Sequence, residues 1–141
     1  MAKTLLYRIF GLGKVPKRVR PVVEQEGIVL MDEGIRGSVT FKKFRAPGRR
    51  YSWRRKWFSG SIVFTEKRFL AFTYFNPIIN VPFDHPSINE LECSLQDEQK
   101  FCVGFDVSKF HEGWSGTIEC LFSTPNAPFF LERFKAKTGS V

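Results

Sequence analysis

Two stretches near the middle of the chain alternate apolar and polar residues, and this alternation constrains the fold most. Every second residue is Leu or Cys in residues 91–95, and every second residue is Phe or Val in residues 101–107. A period of two places successive side chains on opposite sides of a strand, so each stretch predicts a strand with one buried face. The polar residues 96–99 between them predict a hairpin turn.

Further strands are predicted on both sides of this hairpin. The candidates are residues 28–32, 37–45, 50–58, 61–65, 69–75, 78–83 and 117–122. Turns are expected at Ala46–Gly48 and Glu66–Lys67, a break at Asn76–Pro77, and an edge position at Pro82. Because short turns join successive strands, the sheet is expected to be antiparallel and to curl until its apolar face is hidden.

Helical patterns lie at the two ends of the chain. After Thr124 or Asn126 as a cap, an apolar stripe at 3.6-residue spacing runs from Ala127 to Phe134, and Gly139 is expected to end this helix. Residues 2–12 predict a short amphipathic helix, followed by a basic linker at residues 14–21. The apolar face of this predicted helix includes Leu5, Leu6, Ile9 and Phe10.

The predicted fold class is therefore mainly β. We expect an antiparallel β-sandwich or partly open barrel of about seven strands, capped by a C-terminal α-helix, with a short N-terminal helical extension. At 141 residues the chain is expected to form one such domain, at residues 26–138, preceded by the extension and linker at residues 1–25.

Positive charge is concentrated in the first part of the chain. Residues 1–56 hold 15 of the 22 Lys and Arg residues and four acids, or 15 − 4 = +11, whereas residues 57–141 give 7 − 10 = −3. Such asymmetry predicts a polyanionic partner. The candidate anion-binding residues are those of the densest run: Lys42, Lys43, Arg45, Arg49, Arg50, Arg54, Arg55 and Lys56.

Aromatic residues interrupt this basic run and leave its role open. Phe44, Tyr51, Trp53 and Trp57 lie among the cations. A solvated charged face without a ligand is one interpretation. Tyr51 and Trp53 could stack on single-stranded bases, but they share one side of a strand, so we expect them in the core first.

Residues 60–72, with the sequence GSIVFTEKRFLAF, resemble a hairpin of the pleckstrin-homology superfamily, especially its GRAM-like and bacterial PH-like branches. Val81-Pro82-Phe83 followed by Ile88, the opening Glu26-Gly27-Ile28, and a closing helix with Phe130 and Phe134 extend the resemblance over residues 26–137. The resemblance implies a small β-domain that binds a partner.

Trp53-Arg54-Arg55-Lys56-Trp57-Phe58 is also similar to classical PH domains, which often bind phosphoinositide head groups with Lys and Arg around their first hairpin. By that similarity, Lys42, Lys43, Arg45, Arg54 and Lys56 would occupy comparable positions. The basic loop is longer here and its spacing is irregular. Many members of the superfamily bind proteins instead, or have no known ligand.

Catalytic and metal-binding patterns do not appear in the sequence. The two histidines, His85 and His111, have no metal-ligand spacing, and no G-x-S-x-G or phosphate-binding loop is present. We therefore expect no enzyme activity, no cofactor and no metal. The odd number of cysteines, Cys93, Cys102 and Cys120, predicts reduced thiols, mostly buried, rather than disulfides.

The sequence thus favours a non-catalytic binding module for anionic membrane surfaces or lipid head groups. The alternative is a protein-interaction or oligomerisation module without a lipid ligand, and single-stranded nucleic acid is the less favoured partner. Arg8 interrupts the N-terminal apolar stretch, so we expect the segment to be retained. Through Leu5, Leu6, Ile9 and Phe10 it would contact a membrane, a partner or a second copy of the chain, or it would dock on the β-domain itself. The expected location is the cytoplasm, with peripheral membrane association.

Overall fold

A computed structural model describes residues 15–74, 76–110 and 112–138. The predicted helix at residues 2–12 and the predicted stop at Gly139 lie outside these ranges. Two short 3-10 helices occupy Pro86–Glu90 and Val107–Lys109. The remaining elements are α1 (Arg20–Glu26), β1 (Ile28–Ala46), β2 (Arg49–Thr65), β3 (Arg68–Thr73), β4 (Asn76–Pro82), β5 (Glu92–Asp97), β6 (Lys100–Asp106), β7 (Ser115–Ser123) and α2 (Ala127–Thr138).

The seven strands form one antiparallel sheet in the order β4-β3-β2-β1-β7-β6-β5. Two hairpin-connected groups, β1–β4 and β5–β7, are joined where β1 pairs with β7, as at Gly37 opposite Phe122. The sheet is not closed, because β4 and β5 remain its two edges. This architecture, with a helix after the last strand and a short helix before the first, confirms the predicted fold class.

Several predicted element boundaries were wrong. Residues 28–32 and 37–45 belong to the single strand β1, and residues 50–58 and 61–65 to the single strand β2. The pairing of β1 with β2 shifts by one residue between Glu33 and Ile35, next to Gly34 with its φ of 67°. Such an irregularity bends a strand without ending its ladder. Asn76 and Pro77 begin β4 rather than breaking the chain, while Pro82 ends that edge strand as expected.

Helix α2 closes one end of the curved sheet. The buried side chains of Phe130 and Phe134 insert into an aromatic core, and the Phe130 ring centre lies 5.0 Å from that of Phe64 and 5.9 Å from that of Phe101. Phe134 packs against Phe69 at 6.3 Å. The aromatic stripe predicted from 3.6-residue spacing is therefore the buried face, and the predicted capping helix is confirmed.

The start of α2 is fixed to β1 by a buried carboxylate. Asp32 Oδ2 accepts hydrogen bonds from Thr124 Oγ1 and, at 3.1 Å, from Asn126 Nδ2. Thr124 Oγ1 also accepts from the Asn126 amide, and the Asn126 carbonyl accepts from Phe129 and Phe130. Both predicted capping residues contribute, and β1 holds them in place.

Helix α1 covers the outer side of the β2–β3 hairpin. Val15 and Val23 are buried there against Val63, Leu70 and Phe72. The predicted linker at residues 14–21 therefore ends in a helical turn, with Pro21 in the first turn where a missing N–H costs little. Ion pairs secure the segment, at 2.7 Å between Arg20 and Glu33 and 2.8 Å between Arg68 and Glu26.

Candidate functional site

The eight predicted anion-binding residues lie in one hairpin, formed by the end of β1 and the beginning of β2. Lys42 pairs with Trp53, Arg45 with Arg50, and Ala46 with Arg49 around a two-residue turn. Gly48 in that turn has a φ of 76°, which favours glycine. We call residues 36–57 the basic hairpin.

The charge of the basic hairpin is largely unneutralised. No Asp or Glu occurs between Glu33 and Glu66, whereas nine cations do: the eight candidates and Arg36. Within the described ranges, Lys42 is the one cation of the nine that forms an ion pair, 2.7 Å from Glu119 on β7. The remaining cations project from the hairpin without a carboxylate partner there, so their field extends into solvent.

The outer face of the hairpin carries a row of exposed aromatic and cationic side chains. Trp53, Arg55 and Trp57 alternate along β2 and so share one side of the strand. The indoles of Trp53 and Trp57 are 58% and 63% exposed. Arg55 Nε donates to Thr40 Oγ1 at 2.9 Å, and its guanidinium lies 5.2 Å from the centre of the Trp53 ring. Thr40 and Trp53 therefore hold Arg55 in place, and Trp57 follows it on the same side of the strand.

The opposite side of β2 presents two other cations. Arg54 and Lys56 alternate with Arg55, on the same side as the buried Phe58. The Arg54 guanidinium lies 4.9 Å from the centre of the Tyr51 ring, and Lys56 Nζ lies 6.0 Å from that of Phe41. The hairpin therefore brings the predicted residues together but divides them between two faces, and they do not converge on one concavity.

The expectation that Tyr51 and Trp53 lie in the core was wrong for Trp53. Tyr51 is half-buried, with its ring stacked 5.9 Å from Phe44. Trp53 lies on the outer side of β2, where its side chain is exposed. In the part of the chain that the structure describes, β3 pairs with β2 only from Gly60 onward, so the first half of β2 pairs with β1 alone. Residues 49–58 are consequently a free sheet edge there.

A cavity of about 570 Å³ lies below the basic hairpin, at the end of the sheet opposite α2. It was not predicted, because its walls come from β1, β2, β3, β4, β6, β7 and the β6–β7 connection, many of which are distant in sequence. The alternation in residues 101–107 indicated that Phe105 faces inward, but no local pattern indicated what it faces. The lining includes Phe41, Arg49, Ile78, Phe105, Phe110, Trp114 and Ile118.

Among the described residues, the other titratable side chains form no metal-binding group. Asp106 is exposed, and hydrogen bonds from the Ser108 hydroxyl and amide lower the pKa of its carboxyl. Burial raises the pKa of the Cys93, Cys102 and Cys120 thiols, so they stay protonated and poorly nucleophilic. The three cysteines are free. No group of metal-binding side chains occurs among residues 15–74, 76–110 and 112–138.

The predicted N-terminal contact residues, Leu5, Leu6, Ile9 and Phe10, lie outside the described residues. Neither α1 nor α2 is long or apolar enough to cross a bilayer, and the described part of the chain contains no other helix that is. Comparison of the chain with family models, with curated proteins and with solved structures gave no significant match.

Proposed function

We propose that this protein is a non-catalytic binding module of PH-like fold that attaches to anionic membrane surfaces through the basic hairpin. One observation carries the proposal: nine cations and no acid lie between Glu33 and Glu66, and the ion pair of Lys42 is the only one they form within the described residues. A phosphate-rich surface would supply the missing counter-charges.

The exposed indoles support a membrane over a soluble polyanion. Trp combines an apolar ring with an N–H donor, and it is enriched where lipid tails meet water. Trp53 and Trp57 flank Arg55 on one side of β2, so they can enter the head-group region while the guanidinium binds phosphate. A soluble polyphosphate offers no apolar layer for two indoles, and single-stranded nucleic acid, whose bases could stack on them, stays the less favoured partner.

The fold supports the family resemblance that the proposal includes. The hairpin at residues 60–72 forms with its turn at Glu66–Lys67, as the resemblance implies. Phe130 and Phe134 project from a terminal helix that covers one end of the sheet. The basic hairpin lies at the other end of the sheet.

Co-sedimentation with liposomes tests the proposal. The full chain should bind vesicles that contain phosphatidylserine or phosphoinositide and should not bind pure phosphatidylcholine. Changing Arg50, Arg54, Arg55 and Lys56 together to Gln should weaken binding by up to about 10³-fold, since each cation near anionic lipid contributes about 1 kcal/mol. Gln keeps much of each aliphatic stem, so strand packing is largely retained.

A matched control removes the same charge elsewhere. Lys17, Arg18, Lys67 and Lys135 are exposed cations outside the basic hairpin, and changing them to Gln should leave most of the binding in place. Raising the ionic strength to 1 M, where the Debye length is about 3 Å, should release the wild-type protein. Equal losses in the two quadruple variants would contradict a hairpin-specific site, and binding to neutral vesicles would contradict the electrostatic mechanism.

The free edge of β2 favours a second candidate, a protein-interaction module. An extended segment of another protein could add to residues 49–58 through backbone hydrogen bonds. The two candidates differ in their dependence on side chains. Strand addition should survive the four Gln substitutions, whereas membrane binding should not.

A further inference from the structure

The cavity below the basic hairpin has the composition of a ligand site. Its walls are mainly apolar, and Phe41, Ile78, Phe110 and Trp114 are half-buried there. Ligand pockets are lined mainly by hydrophobic and aromatic side chains, with a few polar groups that orient the ligand. A volume of about 570 Å³ lies within the range of pockets that bury small organic ligands.

Among the described residues that line the cavity, Arg49 is the one with a charged side chain. Arg49 is the first residue of β2, and it comes to the cavity at the turn of the basic hairpin. No carboxylate is among the lining residues, and Arg49 forms no ion pair in the part of the chain that the structure describes. The polar side chains of Thr73 and Asn80 complete the lining. An anionic group is therefore favoured beside Arg49, and an apolar group in the remaining space.

We propose that this cavity binds a single amphiphile, with its apolar chain against Phe105, Phe110 and Ile118 and its carboxylate or phosphate at Arg49. The inference goes beyond the proposed function, because the ligand is one molecule in solution and no bilayer is required. Fatty acids and lysophospholipids both combine an apolar chain with an anionic group. The group is a carboxylate in a fatty acid and a phosphate in a lysophospholipid.

Isothermal titration calorimetry below the critical micelle concentration tests the site on the full chain. The probes are dodecanoate, dodecyl phosphate, dodecanol and dodecyltrimethylammonium. We expect one bound molecule per chain for at least one anionic probe. Dodecanol and dodecyltrimethylammonium should bind at least about tenfold more weakly than that anionic probe. Stronger binding of dodecanoate would indicate a fatty acid, and stronger binding of dodecyl phosphate a lysophospholipid.

Two variants locate the binding. Ile78→Trp places a larger ring into the cavity and should abolish binding of the anionic probes. Arg49→Gln should weaken binding of the anionic probes about tenfold and leave binding of dodecanol unchanged. The neighbouring Arg50 does not line the cavity, so Arg50→Gln should leave binding of both kinds of probe unchanged. Because Arg49 is exposed, its variant remains informative even if Ile78→Trp unfolds the chain.

The inference is overturned if neither anionic probe binds, if the cationic probe binds equally well, or if Arg49→Gln and Arg50→Gln have the same effect. Its failure is distinguishable from that of the proposed function. Ile78→Trp leaves the outer row of Trp53, Arg55 and Trp57 intact, so liposome binding should persist in a variant that no longer binds dodecanoate.

Discussion

Two adjacent phenylalanines on α2 provide a controlled test of how the terminal helix is attached. Phe130 is fully buried, whereas Phe129 is 57% exposed on the same helix. Truncation of either residue to Ala removes the same atoms from the same element and has a similar effect on helix propensity. Any difference between the two variants therefore reports the packing of α2 on the sheet.

The expected magnitude follows from the contacts of each ring. The Phe130 ring lies 5.0 Å from Phe64 and 5.9 Å from Phe101, centre to centre, so Phe130→Ala leaves a cavity between two rings that cannot move closer without disturbing the sheet. Phe→Ala substitutions in cores lower the free energy of unfolding by about 3–5 kcal/mol. Phe129→Ala should change it by only about 0.5 kcal/mol, as surface substitutions usually do.

Urea denaturation followed by far-UV circular dichroism measures both values. Phe130→Ala should move the midpoint to much lower urea with an unchanged slope, because the surface exposed on unfolding is nearly the same. Phe129→Ala should overlay the wild type. Similar losses in the two variants would refute the packing described for α2, since they would mean that burial of Phe130 contributes no more than the exposed ring.

Two further predictions concern buried polar groups. Asp32→Ala should lower the free energy of unfolding by about 3 kcal/mol, because it removes the acceptor of the Thr124 hydroxyl and of the Asn126 side-chain amide. Asp32→Asn keeps one acceptor oxygen and should cost less. A loss below about 1 kcal/mol for Asp32→Ala in urea denaturation would contradict the attachment of α2 to β1 through Asp32. Burial raises the pKa of the Cys120 thiol, so above about pH 8.5 the unfolded chain releases a proton that the folded chain keeps, and stability should fall by up to about 1.4 kcal/mol per pH unit. Cys120→Val should make the decline between pH 8 and pH 10 shallower, and an identical decline in both proteins would show that this thiol is not the cause.

Alternation along the chain predicted the strands well but could not predict which surfaces remain uncovered. The pattern predicted a strand through residues 50–58 and favoured the core for Tyr51 and Trp53. It could not show that the side of β2 with Trp53 and Trp57 faces solvent, or that β3 pairs with β2 only from Gly60 onward. The burial of a strand face depends on its neighbours, which the period does not encode.

The cavity could not be predicted from the sequence for a related reason. Phe41, Ile78 and Trp114 are separated by more than 30 residues each, and the order of the strands alone brings them together. Arg49 was predicted as an anion-binding residue from its charge, but its place at an apolar cavity depends on the length of β1 and the position of the turn. By contrast, the stripe on α2 was predicted correctly because one apolar face of a helix has few alternatives to burial.

The ion pairs explain why the charge asymmetry of the sequence becomes a local property of one hairpin. At the end of the sheet that carries the helices, four cations form ion pairs: Arg20 with Glu33, Arg68 with Glu26, and both Arg133 and Lys137 with Glu66. The basic hairpin has the single pair of Lys42 and Glu119 within the described ranges. Short-range pairing therefore cancels much of the field at one end and leaves it at the other, so the molecule is electrostatically polarised to a greater degree than its net charge of +8 indicates. A polyanionic surface approaching such a molecule would orient it with the hairpin first, and this orientation also turns Trp53 and Trp57 toward that surface.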